Sequence, residues 1–418
     1  MRNTWRIKGL IYLPILIILS CKGPQSLNQI DLADNYNKNK FDLSFNATFS
    51  YINDSITALD LQITTNQLLF SKDTESDYIA RYSIAYKVFN NYRDNIAIDT
   101  TEIHYALKQT NNISAHKYHR IKMFAPLGKN YIVQVTFKDE NRQFEQSEFI
   151  PLKKKDRNSE SLFNIQSCQS SYKGNYQKDS FNISYALPVN KTFKVLTFKR
   201  QSVSAPKPYE VNYTFSFLGE PDNNWLAEIP ANKDLKLPPL KEGFYHFICD
   251  TINKKGFSVF NLPEGFPKTT NLNHAIGAMG YLLPRKDYAR LLTSTNKRLA
   301  FEWEWKMIAG GKNRARNIIK QYYQTVNVAN QLFSSFKPGW STDRGMIFII
   351  YGPPSVVYRY DDSEVWIYGE ENNLLSEVFN FKKINSTISN NIYELERSIS
   401  YKTSWDRMVT SWKEDRGY

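Results

Sequence analysis

Apolar and polar residues alternate with a period of two over long stretches of this chain. In LSFNATFSY (43–51), Leu43, Phe45, Ala47, Phe49 and Tyr51 are separated by Ser44, Asn46, Thr48 and Ser50. Tyr78, Ala80, Tyr82, Ile84, Tyr86 and Val88 form a second such face, and Tyr131, Val133, Val135 and Phe137 a third. Successive side chains of a strand point to opposite faces, so this spacing fits strands with one dry and one wet face, as in antiparallel sheets. Turn-forming Asn, Asp and Ser separate the runs, as in YINDS and SKDTESD. The spacing predicts an immunoglobulin-like antiparallel β-sandwich over 41–152. After KKKDRNSE (153–160), which reads as a charged linker, Phe181, Ile183, Tyr185 and Leu187 resume the alternation, and YTFSF (213–217) and GFYHFICD (243–250) continue it. A second sandwich is expected over 161–268.

The texture changes near residue 270. TNKRLAFEWEWKMI (295–308) has helical composition and stops at Gly310-Gly311. Ile318, Tyr322, Val326, Ala329 and Phe333 then recur at the spacing of one helix face. Beyond Pro338-Gly339, strands are expected at Met346–Tyr351, Val356–Tyr360, Glu364–Tyr368 and 376–382. Met346–Tyr351 is apolar on both faces, which predicts a central strand. Trp405, Met408, Val409 and Trp412 mark a last helix. An α+β module is expected over 271–418.

The first twenty residues read differently. Arg2, Arg6 and Lys8 precede GLIYLPILIIL (9–19), an apolar run too short to span a bilayer. Ile18-Leu19-Ser20-Cys21 resembles the bacterial lipoprotein lipobox, with Ile where Leu is usual. The resemblance implies that 1–20 is a signal peptide and that Cys21 is acylated (palmitate among its chains), holding the protein on the membrane without spanning it. The polar segment 21–40 is expected to be a tether. Surface-exported lipoproteins of Bacteroidota tend to carry an acidic run after the cysteine. Lys22-Gly23-Pro24-Gln25-Ser26 is not acidic, which points to the periplasmic face of the outer membrane.

The chain carries a net charge of +13. The surplus lies beyond residue 152, where anionic headgroups or acidic protein surfaces are the partners an exported protein meets. Nucleic acid is not expected. Cys168 and Cys249 have a compartment that permits a disulfide, and two thiols are equally compatible with the sequence. His116 and His119 lie in a stretch that reads as a strand, where an i, i+3 pair points to opposite faces. No zinc, nucleotide or nucleophile-elbow motif is present, so neither metal nor cofactor is expected. A pair of carboxylates leaves no motif, which keeps a carboxylate-dependent hydrolase open.

The most patterned stretch is PGWSTDRGMIFIIYGPP (338–354). With YYQTVNVANQLF (322–333) before it and SEVWIYG (363–369) after it, it resembles the GWxTD-domain family of Bacteroidota envelope lipoproteins. Gly339, Trp340, Thr342, Asp343, Arg344, Gly345, Gly352 and Pro353 carry the resemblance. Ser341 stands where Lys is common, and the Arg-Asp-Pro element usual before the motif is replaced by MIAGGKNR (307–314). On the residues alone, Trp340 is an apolar plug, Ser341, Thr342 and Asp343 hold a turn, and Arg344 opens the strand and pairs with Asp343 or with DDSE (361–364). The same residues also suit a lip that meets a partner. Together these readings predict an outer-membrane lipoprotein acting as a binding or scaffold subunit of a cell-envelope complex, with an envelope glycan-binding protein or hydrolase as the alternative.

Overall fold

A computed structural model gives the structure. It describes residues 26–37 and 43–414, with interruptions at 44, 74–76, 111–113, 167–168, 172–173, 177–179, 200–201, 214–218, 239–240, 251 and 253–254. Cys21 and Cys168 lie outside the described residues.

Among the described residues, the first module holds eight strands: Phe45–Tyr51 (β1), Ile56–Thr64 (β2), Ser71–Lys72 (β3), Tyr78–Phe89 (β4), Asp99–Lys108 (β5), His116–Phe124 (β6), Lys129–Asp139 (β7) and Phe144–Lys154 (β8). They form one sheet ordered β1-β2-β6 and another ordered β3-β4-β7-β8, with β5 also on β4. The pairings are antiparallel, with Phe49 opposite Leu59 and Tyr86 opposite Val135. Two dry faces meet between the sheets: Phe45, Leu59, Leu61 and Ile121 from one, Tyr82, Ile84, Val133 and Phe137 from the other. His119 is buried and His116 exposed, on opposite faces of β6. The stretch 153–160 is not simply a charged linker. Lys154 ends β8 fully buried, its Nζ donating to the carbonyls of Asn53 and Ile56 and to Thr57 Oγ1.

The second module contains Phe163–Gln166 (β9), Gln169–Ser171 (β10), Gly174–Tyr176 (β11), Phe181–Tyr185 (β12), Lys191–Phe198 (β13), Asn223–Ile229 (β14), Leu235–Leu237 (β15), Gly243–Asp250 (β16) and Lys255–Asn261 (β17). Its sheets run β10-β11-β17-β16-β13-β14 and β15-β12-β9. They share a core of Phe181, Ile183, Phe193, Val195, Phe247 and Phe257. Cys249 is a free thiol that burial pushes up to about 12.

Among the described residues, the C-terminal region carries six helices: Leu272–Met279 (α1), Arg285–Thr293 (α2), Lys297–Ala309 (α3), Lys312–Phe333 (α4), Asp343–Tyr351 (α5) and Tyr401–Lys413 (α6). They surround an antiparallel sheet of Val356–Arg359 (β18), Ser363–Tyr368 (β19), Glu377–Lys383 (β20) and Tyr393–Leu395 (β21). The α4 face read from the sequence is fully inside, with Ile318, Tyr322, Val326 and Ala329 each at 0% exposure.

Two further expectations are corrected. Residues 346–351 are not a strand but most of α5, every residue of which is buried. A helix packed on all sides shows the same unbroken apolar run as a central strand. Thr342 as N-cap, Asp343 in the first turn and Gly352 at the end were the helix signals. Residues 26–37, expected to lie in a free tether, are docked. Leu27, Leu32, Ala33 and Tyr36 are buried in the same core as α4, α5 and Trp366. The Leu32 N–H donates to the Val357 carbonyl at 2.8 Å, and Asp31 Oδ1 accepts from the Val357 N–H at 2.8 Å. This strap covers β18, which would otherwise be the bare edge of its sheet.

The modules interlock elsewhere. Phe89, Tyr92, Ile132 and Phe149 of the first module join the strap's core. Phe244 and Phe260 of the second pack with Phe336, Ile388 and Ile392 of the third. The connection 202–213, between β13 and β14, lies on the helices. Ser204 Oγ donates to the Gly277 carbonyl and the Ala205 N–H to Tyr281 Oη.

Candidate functional site

The motif begins where α4 ends. Gly339 sits so close to α4 that a Cβ there would lie 2.0 Å from the Ala329 carbonyl oxygen. Its N–H donates to Ser334 Oγ at 2.9 Å, and the Trp340 N–H donates to Asn330 Oδ1 at 3.1 Å. The Trp340 ring is wholly buried against Gly277 of α1, where a Cβ would fall 2.2 Å from Cη2. The Trp340 carbonyl accepts from Tyr281 Oη at 2.9 Å. Thr342 Oγ1 donates to the Gly339 carbonyl and accepts from the Gly345 N–H at 3.0 Å, capping α5. Gly345 allows the tight return, since a Cβ there would lie 1.8 Å from Gly339 O. At the far end Gly352 takes φ +82°, a conformation glycine adopts without penalty, and its carbonyl accepts from Tyr368 Oη at 2.8 Å. Pro353 follows and prevents continuation of the helix.

The two charged motif residues point to different partners. Asp343 accepts from the Leu395 N–H at 2.8 Å and from Arg397 Nη1 and Nη2 at 3.2 and 2.5 Å. Arg344 donates to Glu364 Oε1 at 3.2 Å and to the side chain and carbonyl of Asn391. Its guanidinium lies 3.9 Å over the Tyr393 ring and 5.2 Å from that of Phe333. Glu364, fully buried, is the hub. It also accepts from Arg359 Nε at 2.7 Å, Trp366 Nε1 at 2.8 Å and Tyr36 Oη at 2.8 Å. Burial alone would raise its pKa. Arg359, Arg344 and these hydrogen bonds outweigh burial and hold the carboxyl at about 2. The Tyr36 phenol is pushed up, first by burial and then by the Glu364 charge.

A helix-capping Thr, two close-approach glycines, a buried Trp and a divided Asp-Arg pair are thus one local structure. Residues 243–414 match the family model for the GWxTD domain. The match begins at the first residue of β16, so the GWxTD domain includes two strands of the second module's larger sheet. No curated protein matches the chain. Among solved structures, red sea bream transglutaminase aligns at 12% identity with a TM-score of 0.18, over 53% of this chain and 31% of its own. This chain therefore spans about a third of that protein's length, and a likeness of that size carries no argument.

Within the GWxTD region, the structure brings Gly339, Trp340, Thr342, Asp343, Arg344 and Gly345 into a single turn and helix start. Gly352 and Pro353 stand at the opposite end of α5. Sequence reading placed one partner, Glu364, within DDSE. It missed Tyr36, Arg359, Asn391 and Arg397, which lie in segments with no pattern of their own.

A concavity lining this region was also missed. A cleft of about 470 Å³ opens where the three modules converge. Asn130 and Lys153 of the first module form one wall and Lys155, Asp156 and Asn158 of the connection another. Lys255 of the second module and Lys383, Asn385, Thr387 and Asn390 of the GWxTD domain complete it. Lys255 is paired with Asp156 at 2.5 Å. Lys383 also lines a smaller cavity of about 50 Å³ whose walls include Arg344, Arg359 and Tyr36. Tyr92, Pro151 and Asn390 also line both, so the two concavities are neighbours.

Proposed function

We propose that the protein is a lipoprotein, anchored through acylated Cys21 to the periplasmic face of the outer membrane, that serves as a binding or scaffold subunit of a cell-envelope complex. The observation that carries this reading is how the motif's charges are used. Asp343 and Arg344 are 6% and 3% exposed, and both are engaged in ion pairs inside the chain. A motif spent on internal pairing fixes the relative position of strap and sheet, which suits a body that presents its outer surfaces to a partner. Among the described residues no helix is long and apolar enough to cross a membrane, which is consistent with anchoring through a lipid.

The test is crosslinking in native outer membranes. A specific protein should be captured by the wild type, and Cys21→Ala should release the chain from the membrane fraction and abolish capture. Acyl-probe labelling reports on the cysteine itself. Retention of Cys21→Ala in the membrane, with no label on the wild type, sinks the lipoprotein reading. Absence of any reproducible crosslink in wild-type membranes sinks the scaffold reading.

A further inference from the structure

We propose that the cleft between the three modules is a binding site for a phosphorylated sugar, with Lys383, Lys153 and Lys155 receiving the phosphate and the surrounding amides receiving the sugar. Each part of the assignment has its own observation. Among the described residues, none of these three ammonium groups has a carboxylate within ion-pair distance, whereas the fourth cleft lysine, Lys255, is closed on Asp156. A lysine that lacks an internal partner and faces a cavity is available to a ligand anion, and charge-assisted contacts of this kind are the strong ones. Lys383 is the pivotal group. Burial, Arg359 and Lys153 all act against its charge and push it down to about 8, although Glu364 and Asp361 oppose them. An anion bound there relieves a repulsion that the fold has built in.

The rest of the lining selects for a polyol. Asn130, Asn158, Asn385, Asn390, Ser386 and Thr387 line the same space. Asn130 Oδ1 accepts from the Lys154 N–H, Asn158 Oδ1 from Lys191 Nζ and Ser386 Oγ from the Ile388 N–H, while Thr387 Oγ1 meets His246 Nε2, so the side chains of Asn385 and Asn390 and the amide NH2 groups of Asn130 and Asn158 are the ones left for a ligand. Such amides pair with sugar hydroxyls, the NH2 groups donating and the Asn385 and Asn390 oxygens accepting. A cavity of about 470 Å³ has the size of a small-molecule site. Asp361, which accepts from the Tyr92 N–H at 3.2 Å, and Glu160 also line the cleft. These carboxylates disfavour a uniformly anionic polymer and favour a ligand that carries one concentrated charge on a neutral body.

The experiment is calorimetric titration of the protein with glucose 6-phosphate, glucose and inorganic phosphate, and sedimentation with phosphatidylcholine vesicles with and without phosphatidic acid. Glucose 6-phosphate should bind more tightly than either of its halves. Lys383→Met should weaken that binding by about tenfold or more, the worth of one charged hydrogen bond. Lys155→Gln, at an exposed position on the rim, should weaken it by a smaller factor with an unchanged melting temperature. Because Lys155 is on the surface, this second variant keeps the test decisive if Lys383→Met does not fold. Equal affinity of wild type and Lys155→Gln for glucose 6-phosphate overturns the assignment, as does a wild type that binds inorganic phosphate equally well. Sedimentation with phosphatidic acid vesicles without a response to glucose 6-phosphate also overturns it, and assigns the phosphate to a lipid headgroup.

Discussion

Asp343 and Arg397 face each other as a two-pronged ion pair, Oδ1 to Nη2 at 2.5 Å and Oδ2 to Nη1 at 3.2 Å, with both side chains 6% exposed. The same Oδ2 accepts the Leu395 N–H, so one carboxylate fixes the start of α5 to the end of β21. Arg397 in turn donates to the Pro206 carbonyl, extending the connection into the second module's long loop.

Asp343→Ala removes one half of this buried pair and leaves a guanidinium without its counter-charge. It should lower unfolding stability by about 3–5 kcal/mol. Denaturant titration measures the loss. An unchanged midpoint would mean that Arg397 finds another acceptor in the mutant.

Arg344→Lys keeps the charge and loses the planar fork that reaches Glu364 and Asn391 at once while lying over Tyr393. A loss of about 2–3 kcal/mol is expected, the scale of one or two charged hydrogen bonds. Crosslink yield in membranes should fall only as far as unfolding explains. A normal melting curve with lost capture would make the motif a contact surface.

Gly277→Ala tests the seat of Trp340 without touching the motif. The added methyl would meet the indole at 2.2 Å, and neither the ring nor α1 yields cheaply. Destabilisation of about 1–3 kcal/mol is expected, and Trp340→Ala should cost about 3–5 kcal/mol through the cavity it leaves. Near-ultraviolet circular dichroism should report the displaced indole in the first case.

The Glu364 carboxyl gives the protein an acid-sensitive element. Its folded value of about 2 lies below the ordinary 4.5, so between them the unfolded chain binds more protons than the native one. Stability from this group is full above about pH 4.5 and is lost as pH falls towards 2. The gap corresponds to something on the order of 3 kcal/mol. Comparing wild type with Glu364→Gln across this window should show a shallower acid dependence in the variant. Parallel curves would place the sensitivity elsewhere.

The first module's sheets were legible because its strands alternate buried and more exposed residues, as β7 does. Tyr82, Ile84, Tyr86, Val133 and Phe137 could be assigned to a core from their spacing alone, and α4 from its apolar stripe. α5 was not legible from its apolar residues, since burial on every side erases the period that distinguishes helix from strand. Its capping residues held the information instead. In the candidate site, the sequence offered Arg344 either Asp343 or DDSE as its partner, and the structure gives it Glu364, which only α5 and β18 separate from it along the chain. Tyr36 and Arg397 were not readable, because nothing local in a sequence records a partner 328 or 54 residues away. The cleft was invisible for the same reason, since its walls come from all three modules.

The strap has a consequence for the order in which the molecule can be completed. Tyr36 is separated from Glu364 by 328 residues, yet its hydroxyl contacts that carboxylate. A chain made from its N-terminus has the strap before it has β18, β19 or Glu364. Until those residues exist, Leu27, Leu32 and Tyr36 have no native place and their apolar surface stays uncovered. Closing so long a loop is slow relative to the local pairing of the first sandwich. The earliest described segment to be synthesised is therefore among the last to be seated, and a truncation before residue 364 leaves it without a dock even if both sandwiches have already folded.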